Sequence, residues 1–506
     1  MAYSVYTGFT SGLITDDESW FLHVMTRVAA GERLYREVFF GAMPLSAYLG
    51  SALVRLFGSE IFTVKLFMAA CFAGNVLLSL NVLGQLGLGP WAKGLVVLAL
   101  LAFIPAGLPG AGSPYTTLVY AFLLLLPYLS LVSVGAVEGT ADADSDSAGL
   151  SLLIGALVGL MFCTKQNLGV FALAGVTSIE VMRRGAQRGM LWRQARPVLL
   201  ILVGFAIVTA VLVLPVWLQG GLPKLLEYGF LNRAAYVGVA GISYASQLGA
   251  LWSSMWDLTS WGNALLAYRQ TQYLIPFISF GALFLGMATR DRKRRRTGIV
   301  ILTFTAVAFA GMFPRIDLPH VMPALPIMLV GIAWGTSSIR VDTRRALGLV
   351  LRGALAFWLA AGVAATLARP VRWLASRSYE IARLPHFGGE LLLKSEIERL
   401  GAQGRSLARN IPAGERLFFL TPSAAKLYLL SGIENPTPFD YPLVTAFGFR
   451  GQEEVIEQIE QQRIQWVCMR ALGPHPLRAD RLEDYVEQNM VLAEKGQLCD
   501  LYRSGP

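Results

Sequence analysis

Charge is scarce in this chain. Only 15% of its 506 residues are Asp, Glu, Lys or Arg, 54% are hydrophobic, and the mean hydropathy is +0.52. A soluble domain cannot hide that much apolar surface, so the composition points to a polytopic membrane protein. Cysteine is rarer still, four in all, with no metal-binding spacing. Cys71 and Cys163 lie in apolar segments. Cys468 and Cys499 lie in the polar tail, where they either pair in an oxidising compartment or stay as buried thiols. Met1 to Thr15 has neither a basic start nor a long apolar centre, so no cleavable signal peptide is visible. The net charge of +10 does not mark a nucleic-acid partner, because the basic residues fall in short clusters between apolar spans.

The stretch that organises the chain is Thr15-Asp16-Asp17-Glu18-Ser19-Trp20, three carboxylates at the head of an amphipathic run. Phe21, Val24, Met25 and Val28 recur at helical spacing, which predicts a short helix over Trp20 to Ala30 lying on the bilayer surface. Thr15 and Glu18 form a capping box in the structural reading of the cluster, with Asp16 and Asp17 favouring the helix dipole. Gly31 to Phe40 follows, with Arg33, Tyr35, Arg36 and Glu37. A second amphipathic run from Pro44 to Phe57 then places Leu45, Tyr48, Leu49, Ala52, Leu53 and Leu56 on one face, again at the interface.

Ten apolar segments come next: Ile61 to Gly84, Trp91 to Leu108, Tyr115 to Val137, Gly149 to Thr164, Leu168 to Met182, Pro197 to Leu218, Tyr273 to Thr289, Gly298 to Phe313, Val321 to Ser338 and Ala346 to Ala368. A span needs about 20 residues. Gly149 to Thr164 and Leu168 to Met182 fall short and read as an antiparallel pair joined by Lys165-Gln166-Asn167. Three basic loops, at Arg183 to Arg196, Arg290 to Arg296 and Arg340 to Arg345, share one parity and are therefore cytoplasmic. The acidic loop Glu138 to Ser147 falls on the same side and reads as disordered and solvated.

That parity puts Asp16 to Glu18, Lys165-Gln166-Asn167, the connection Gln219 to Gln272 and Pro314-Arg315-Ile316-Asp317-Leu318-Pro319-His320 on the extracytoplasmic face, together with the tail. Charge at membrane depth is expensive, and several clusters on one side mark an active face. A lone Lys or Arg at a span end reads instead as a snorkelling anchor. In the tail, Arg416 to Leu420, Trp466 to Met469 and Cys499 to Tyr502 read as strands. Ala424 to Leu430, Glu453 to Gln461 and Asp480 to Asn489 read as helices. The expected architecture is a polytopic α-helical membrane protein with about ten transmembrane and two interfacial helices in residues 1–368. A small α/β extracytoplasmic domain occupies residues 369–506.

Acids beside Lys and Arg on such a face suit glycosyl transfer from a lipid phosphate. A carboxylate takes the proton from an acceptor hydroxyl that attacks the anomeric carbon, and a cation stabilises the leaving phosphate. Asp16, Asp17, Glu18 and Glu37 are the acids; Lys165, Arg315 and His320 are the phosphate-side candidates. The donor's polyprenyl chain lies between the spans.

These stretches also carry a resemblance. Asp17-Glu18 followed by Gly31 to Phe40 and Pro44 to Gly58, then Thr164-Lys165-Gln166-Asn167, then Arg315 to His320 with Pro323 and Pro326, and an α/β tail resemble the GT-C glycosyltransferases. Most similar is the bacterial group related to protein mannosyltransferases and aminoarabinose transferase, which uses polyprenyl-phosphate sugars. The resemblance implies an inner-membrane enzyme that acts on a lipid, glycan or protein acceptor. It makes Asp17 the base, with Asp16 beside it, places Glu37 at the second acidic position, and adds Asn167 and Asp317 to the site. Some relatives use a divalent metal there, though no ligand set in this sequence demands one. Members carry a transmembrane helix before the Asp-Glu pair, so an apolar span is expected upstream of Met1. Gly41-Ala42-Met43-Pro44-Leu45 lacks the lysine of aminoarabinose transferases, which disfavours that sugar. A transporter or flippase is the rival, and it needs polar groups near the bilayer midplane on broken helices. An idle scaffold whose tail binds a partner is the third reading.

Overall fold

The computed structural model describes Tyr6 and residues 16–103, 114–136, 143–184, 191–257, 259–288, 291–337, 345–376, 378–412, 414–472 and 477–505. The chain divides into two compact units, each discontinuous in sequence. One holds Met1–Thr7, Met68–Leu212 and Ile242–Arg369; the other holds Gly8–Phe67, Val213–Gly241 and Pro370–Pro506.

The first unit is helical. Helices α3 (Ile61–Gln85), α8 (Leu191–Leu218) and α14 (Arg345–Ala375) are each shared along the chain with the other unit. Between them lie α4 (Pro90–Phe103), α5 (Pro114–Ala136), α6 (Ala143–Phe162), α7 (Gln166–Arg184), α9 (Tyr244–Trp256), α10 (Trp261–Gln270), α11 (Ile275–Met287), α12 (Arg292–Ala310) and α13 (Leu325–Thr336). These helices match the ten apolar segments in order, with α9 and α10 added from the long connection. Helices α6 and α7 form the expected hairpin, but its turn is Cys163 to Lys165, and Gln166 and Asn167 already belong to α7. Leu123, Val158, Leu168, Phe304, Ile316, Leu325 and Val330 lie in one core that successive helices build together.

Among the described residues three helical stretches are long and apolar enough to cross a membrane: Ile61–Gln85, Ala195–Leu218 and Leu318–Thr336. On α8 the residues Leu199, Val203, Ile207 and Val211, each four apart, all stand exposed. Such a stripe is what a lipid-facing helix presents. The acidic loop differs from expectation, because residues 143–147 are helical and open α6. Residues 138–142 of that loop lie outside the described residues, as does Thr15 of the expected capping box.

The second unit combines α1 (Asp16–Ala29) and α2 (Leu45–Phe57) with the tail. The tail opens with the antiparallel pair β1 (Tyr379–Ile381) and β2 (Leu391–Leu393). Helix α15 (Lys394–Asn410) follows, then a four-stranded sheet in the order β3-β4-β6-β5. Here β3 (Leu417–Leu420) pairs parallel with β4 (Trp466–Met469), while β6 (Asp500–Ser504) runs antiparallel to both β4 and β5 (Met490–Glu494). Helices α16 (Ala424–Ser431), α17 (Gly451–Glu460) and α18 (Asp480–Asn489) connect the strands. Cys468 and Cys499 form a disulfide inside the core that Leu400, Leu417, Phe419, Tyr428 and Trp466 share.

Helix α1 does not lie open on a surface. It packs between α2 and α16, and Trp20 to Met25 are all buried. Its polar side, His23 and Arg27, is covered by tail residues, so the face a surface helix would give to water is used up inside the protein. Helix α2 fits the interfacial reading better. Small residues Ser46, Ala47, Gly50 and Ser51 face inward, Gly50 against Met25, whereas Leu49, Ala52, Leu56 and Phe57 point out.

Candidate active site

Asp16, Asp17 and Glu18 form the first turn of α1, where the unpaired amides and helix dipole favour negative charge. Their surroundings differ. Asp16 Oδ1 accepts a hydrogen bond from Ser423 Oγ at 2.8 Å and lies 3.8 Å from Lys426 Nζ. Glu18 is buried and takes a 2.7 Å hydrogen bond from Lys65 Nζ. Asp17 is half-buried between them in sequence.

Lys65, 4% exposed, sits one turn into α3. Besides Glu18 it faces Glu390, whose Oε1 is 3.5 Å away, an ion-pair distance at which neither Glu390 oxygen accepts a hydrogen bond. Burial pushes the Glu390 carboxyl up to about 8; Lys65 opposes the shift and Glu18 adds to it.

Further along α1, His23 and Arg27 meet Asp440 of the tail, which is fully buried. Its Oδ1 collects Arg27 Nη1 at 2.7 Å, Asn435 Nδ2 at 2.7 Å and His23 Nδ1 at 2.9 Å. Burial alone would push Asp440 up, but Arg27 and His23 outweigh it and hold the carboxyl at about 2. Arg27 also binds Glu32 through Nε and Nη2, and donates to the Glu37 backbone carbonyl at 2.8 Å. His23 stacks on Tyr428.

The loop after α1 turns on Tyr35, buried with φ 68° in the left-handed region, its hydroxyl donating to Ala42 O at 2.6 Å. Within that loop Glu37 is clasped by Arg33, which donates from both its backbone N and Nε at 2.8 Å and holds the carboxyl below the usual range.

The other unit gathers the phosphate-side candidates. Arg315 Nε donates to Asp317 Oδ2, and His320 Nδ1 lies 2.5 Å from Asp317 Oδ1. Burial raises Asp317, yet His320 and Arg315 together bring it below its ordinary value. A backbone bridge with Ile242 fixes the strand-like turn at Arg315. Lys165, at the α6–α7 turn, donates to Gly311 O at 3.4 Å and lies within electrostatic range of His320. Asn167 Oδ1 accepts from the Leu168 amide at 2.9 Å, in the first turn of α7. The residues named from two distant motifs, Lys165 and Arg315 to His320, thus belong to one local cluster.

Neither a protein-family model nor any curated protein matches this sequence. Solved structures do. ArnT from Cupriavidus metallidurans, an aminoarabinose transferase, superposes over all of this chain and 98% of its own, with a TM-score of 0.59 and 14% identity when bound to undecaprenyl phosphate. Its apo state gives 0.60 and 15%. The archaeal oligosaccharyltransferase AglB from Archaeoglobus fulgidus, in complex with an inhibitory peptide and a dolichol-phosphate, gives 0.55 and 10%, over all of this chain and 74% of AglB. The fold is the GT-C fold.

Against that fold, sequence reasoning missed Lys65, Glu390, His23, Arg27 and Asp440. Lys65 had a signal, a single ammonium early in an apolar span; at 4% exposure it is an internal ion pair and no snorkelling anchor. Among the described residues no three His, Cys, Asp or Glu side chains gather into a metal-ligand set. Asp16, Glu18 and Glu37 are instead engaged with Ser423, Lys65 and Arg33.

Proposed function

We propose that this protein is an integral-membrane glycosyltransferase that moves a sugar from a polyprenyl-phosphate donor to an extracytoplasmic acceptor hydroxyl. The observation that carries the reading is end-to-end likeness to a fold seen holding undecaprenyl phosphate in ArnT and dolichol-phosphate in AglB. About ten spans, the basic loops in the cytoplasm and the tail outside belong to the same reading; the Cys468–Cys499 disulfide supports an oxidising compartment for the tail.

In the reaction the acceptor oxygen forms a bond to the anomeric carbon while the carbon–oxygen bond to phosphate breaks and its electron pair leaves with the polyprenyl phosphate. Asp17 takes the acceptor proton and passes it to water. Lys165 and Arg315 stabilise the charge gathering on the phosphate, and Asp317, itself held by His320, orients Arg315. Asp16, Glu18 and Glu37 serve this proposal as acids held by partners around the base.

The roles separate kinetically. Asp17→Asn should lower turnover by about 10² to 10⁴, the usual effect of removing a general base, with folding intact because Asn suits a helix N-terminus about as well as Asp. Arg315→Ala should raise the donor KM as well as lower kcat. Wild-type turnover by purified Asp17→Asn would move the base to another acid of the first loop.

A further inference from the structure

The acids of α1 are tied to the tail through a buried lysine. Lys65 Nζ lies between Glu18 Oε2 at 2.7 Å and Glu390 Oε1 at 3.5 Å. Glu390 stands at the start of β2, and the loop that precedes it touches the head of α3 twice. His386 O accepts from the Ile61 amide at 2.8 Å, and His386 Nδ1 lies 2.5 Å from Ser59 O. One hairpin therefore grips the helix that carries Lys65, and Lys65 grips the first turn of α1. Glu390 is wholly buried with both oxygens lacking hydrogen bonds, a placement that costs stability and that packing alone does not require.

We propose that Glu390 is a positioning residue for the transfer reaction, acting through Lys65 and Glu18 to fix the first turn of α1 and with it Asp17. Two carboxylates share one ammonium. With Glu390 protonated the trio is neutral; with Glu390 ionised it holds a buried negative charge without a partner of its own, and Glu390 competes with Glu18 for Lys65. Glu18 from α1 and Lys65 from α3 are the charged groups facing Glu390. Its elevated carboxyl, at about 8, places the neutral form at neutral pH. The hairpin thus couples the tail to the catalytic helix, and alkaline pH loosens the coupling.

This inference rests on the glycosyltransferase reading for its kinetic consequence, while its structural consequence can be measured without it. A carboxyl near 8 is only about one-tenth protonated at pH 9, so wild-type turnover should fall about tenfold between pH 7 and pH 9. In Glu390→Gln, a neutral near-isostere, the pH 9 to pH 7 ratio should change less than about twofold. Glu390→Ala should lower kcat with the donor KM unchanged, and its amides at residues 17–20 should exchange hydrogen about tenfold faster than those of the wild type. Glu390→Gln should restore slow exchange. A Glu390→Gln pH profile like that of the wild type, or no acceleration of exchange in Glu390→Ala, would overturn the proposal. If the wild-type protein transfers no sugar from any polyprenyl phosphate, the functional reading falls and the exchange comparison alone decides the clamp.

Discussion

Asp440 shows how much a single buried carboxylate can organise. Arg27 on α1 and Asn435 on the tail donate to its Oδ1, and His23 Nδ1 on α1 approaches the same oxygen at 2.9 Å, while Oδ2 has no hydrogen bond. The Asp440–Arg27 pair is sheltered from solvent, and breaking such a pair typically costs about 3–5 kcal/mol; Arg27 keeps Glu32 as a second, partly exposed carboxylate partner, which holds the cost to the lower end of that range. Asp440→Ala should therefore destabilise the second unit by about that amount, read from denaturation midpoints of the purified protein. A loss below about 1 kcal/mol would mean the pair is screened like a surface one. The sign of its pH dependence follows from the depressed carboxyl. Its contribution is fully present above the ordinary value of 3.8 and is lost as pH falls from there through about 2. Glu390 behaves in the opposite sense, its cost growing as pH rises from the ordinary 4.5 to about 8.

Elements in the first, helical unit meet through small residues. A Cβ at Gly155 on α6 would lie 2.1 Å from the Ile201 carbonyl oxygen on α8, and one at Gly204 on α8 would lie 2.3 Å from the Leu152 carbonyl oxygen on α6. The crossing is reciprocal and brings backbone against backbone, the close approach that small residues allow between apolar helices. Gly155→Ala should thus destabilise by about 1–3 kcal/mol, because the overlap is with a carbonyl that cannot step aside. Gly149→Ala on the same helix has open space around the new methyl and should be neutral or stabilising, as Ala normally is in a helix. Equal effects of the two substitutions on thermal inactivation would argue against the crossing. The sequence made such elements legible unevenly. Apolar runs marked the helices in order, and β4 and α18 matched their expected bounds, β4 as a short run buried at all four positions between Gln465 and Arg470 and α18 through its clean helical period. Strand β5 escaped notice, being an edge strand with Val491 and Leu492 exposed. Helix α15 escaped although its buried positions Leu400, Gln403 and Leu407 keep helical spacing, because a polar Gln stands among them and Gly401 and Gly404 lower the local helix propensity. The cluster at Lys165 and Arg315 to His320 was visible as two short motifs, whereas Lys65 and Glu390 stand 325 positions apart and only the fold joins them.

At the scale of the whole molecule, two discontinuous units carry two kinds of chemistry: cations about Arg315 and Lys165 in one, acids at the head of α1 in the other. End-to-end likeness to ArnT at 14% identity establishes the fold and leaves the reaction to be tested directly. The decisive measurement is release of free polyprenyl phosphate by the purified wild-type protein in lipid nanodiscs, supplied with a panel of polyprenyl-phosphate sugars and cell-envelope acceptors and followed by mass spectrometry. At least one donor should yield stoichiometric amounts of polyprenyl phosphate and glycosylated acceptor, and Asp17→Asn should slow the release of both by about 10² to 10⁴. Movement of intact donor across the bilayer with no bond cleaved would contradict glycosyl transfer and establish a transporter instead.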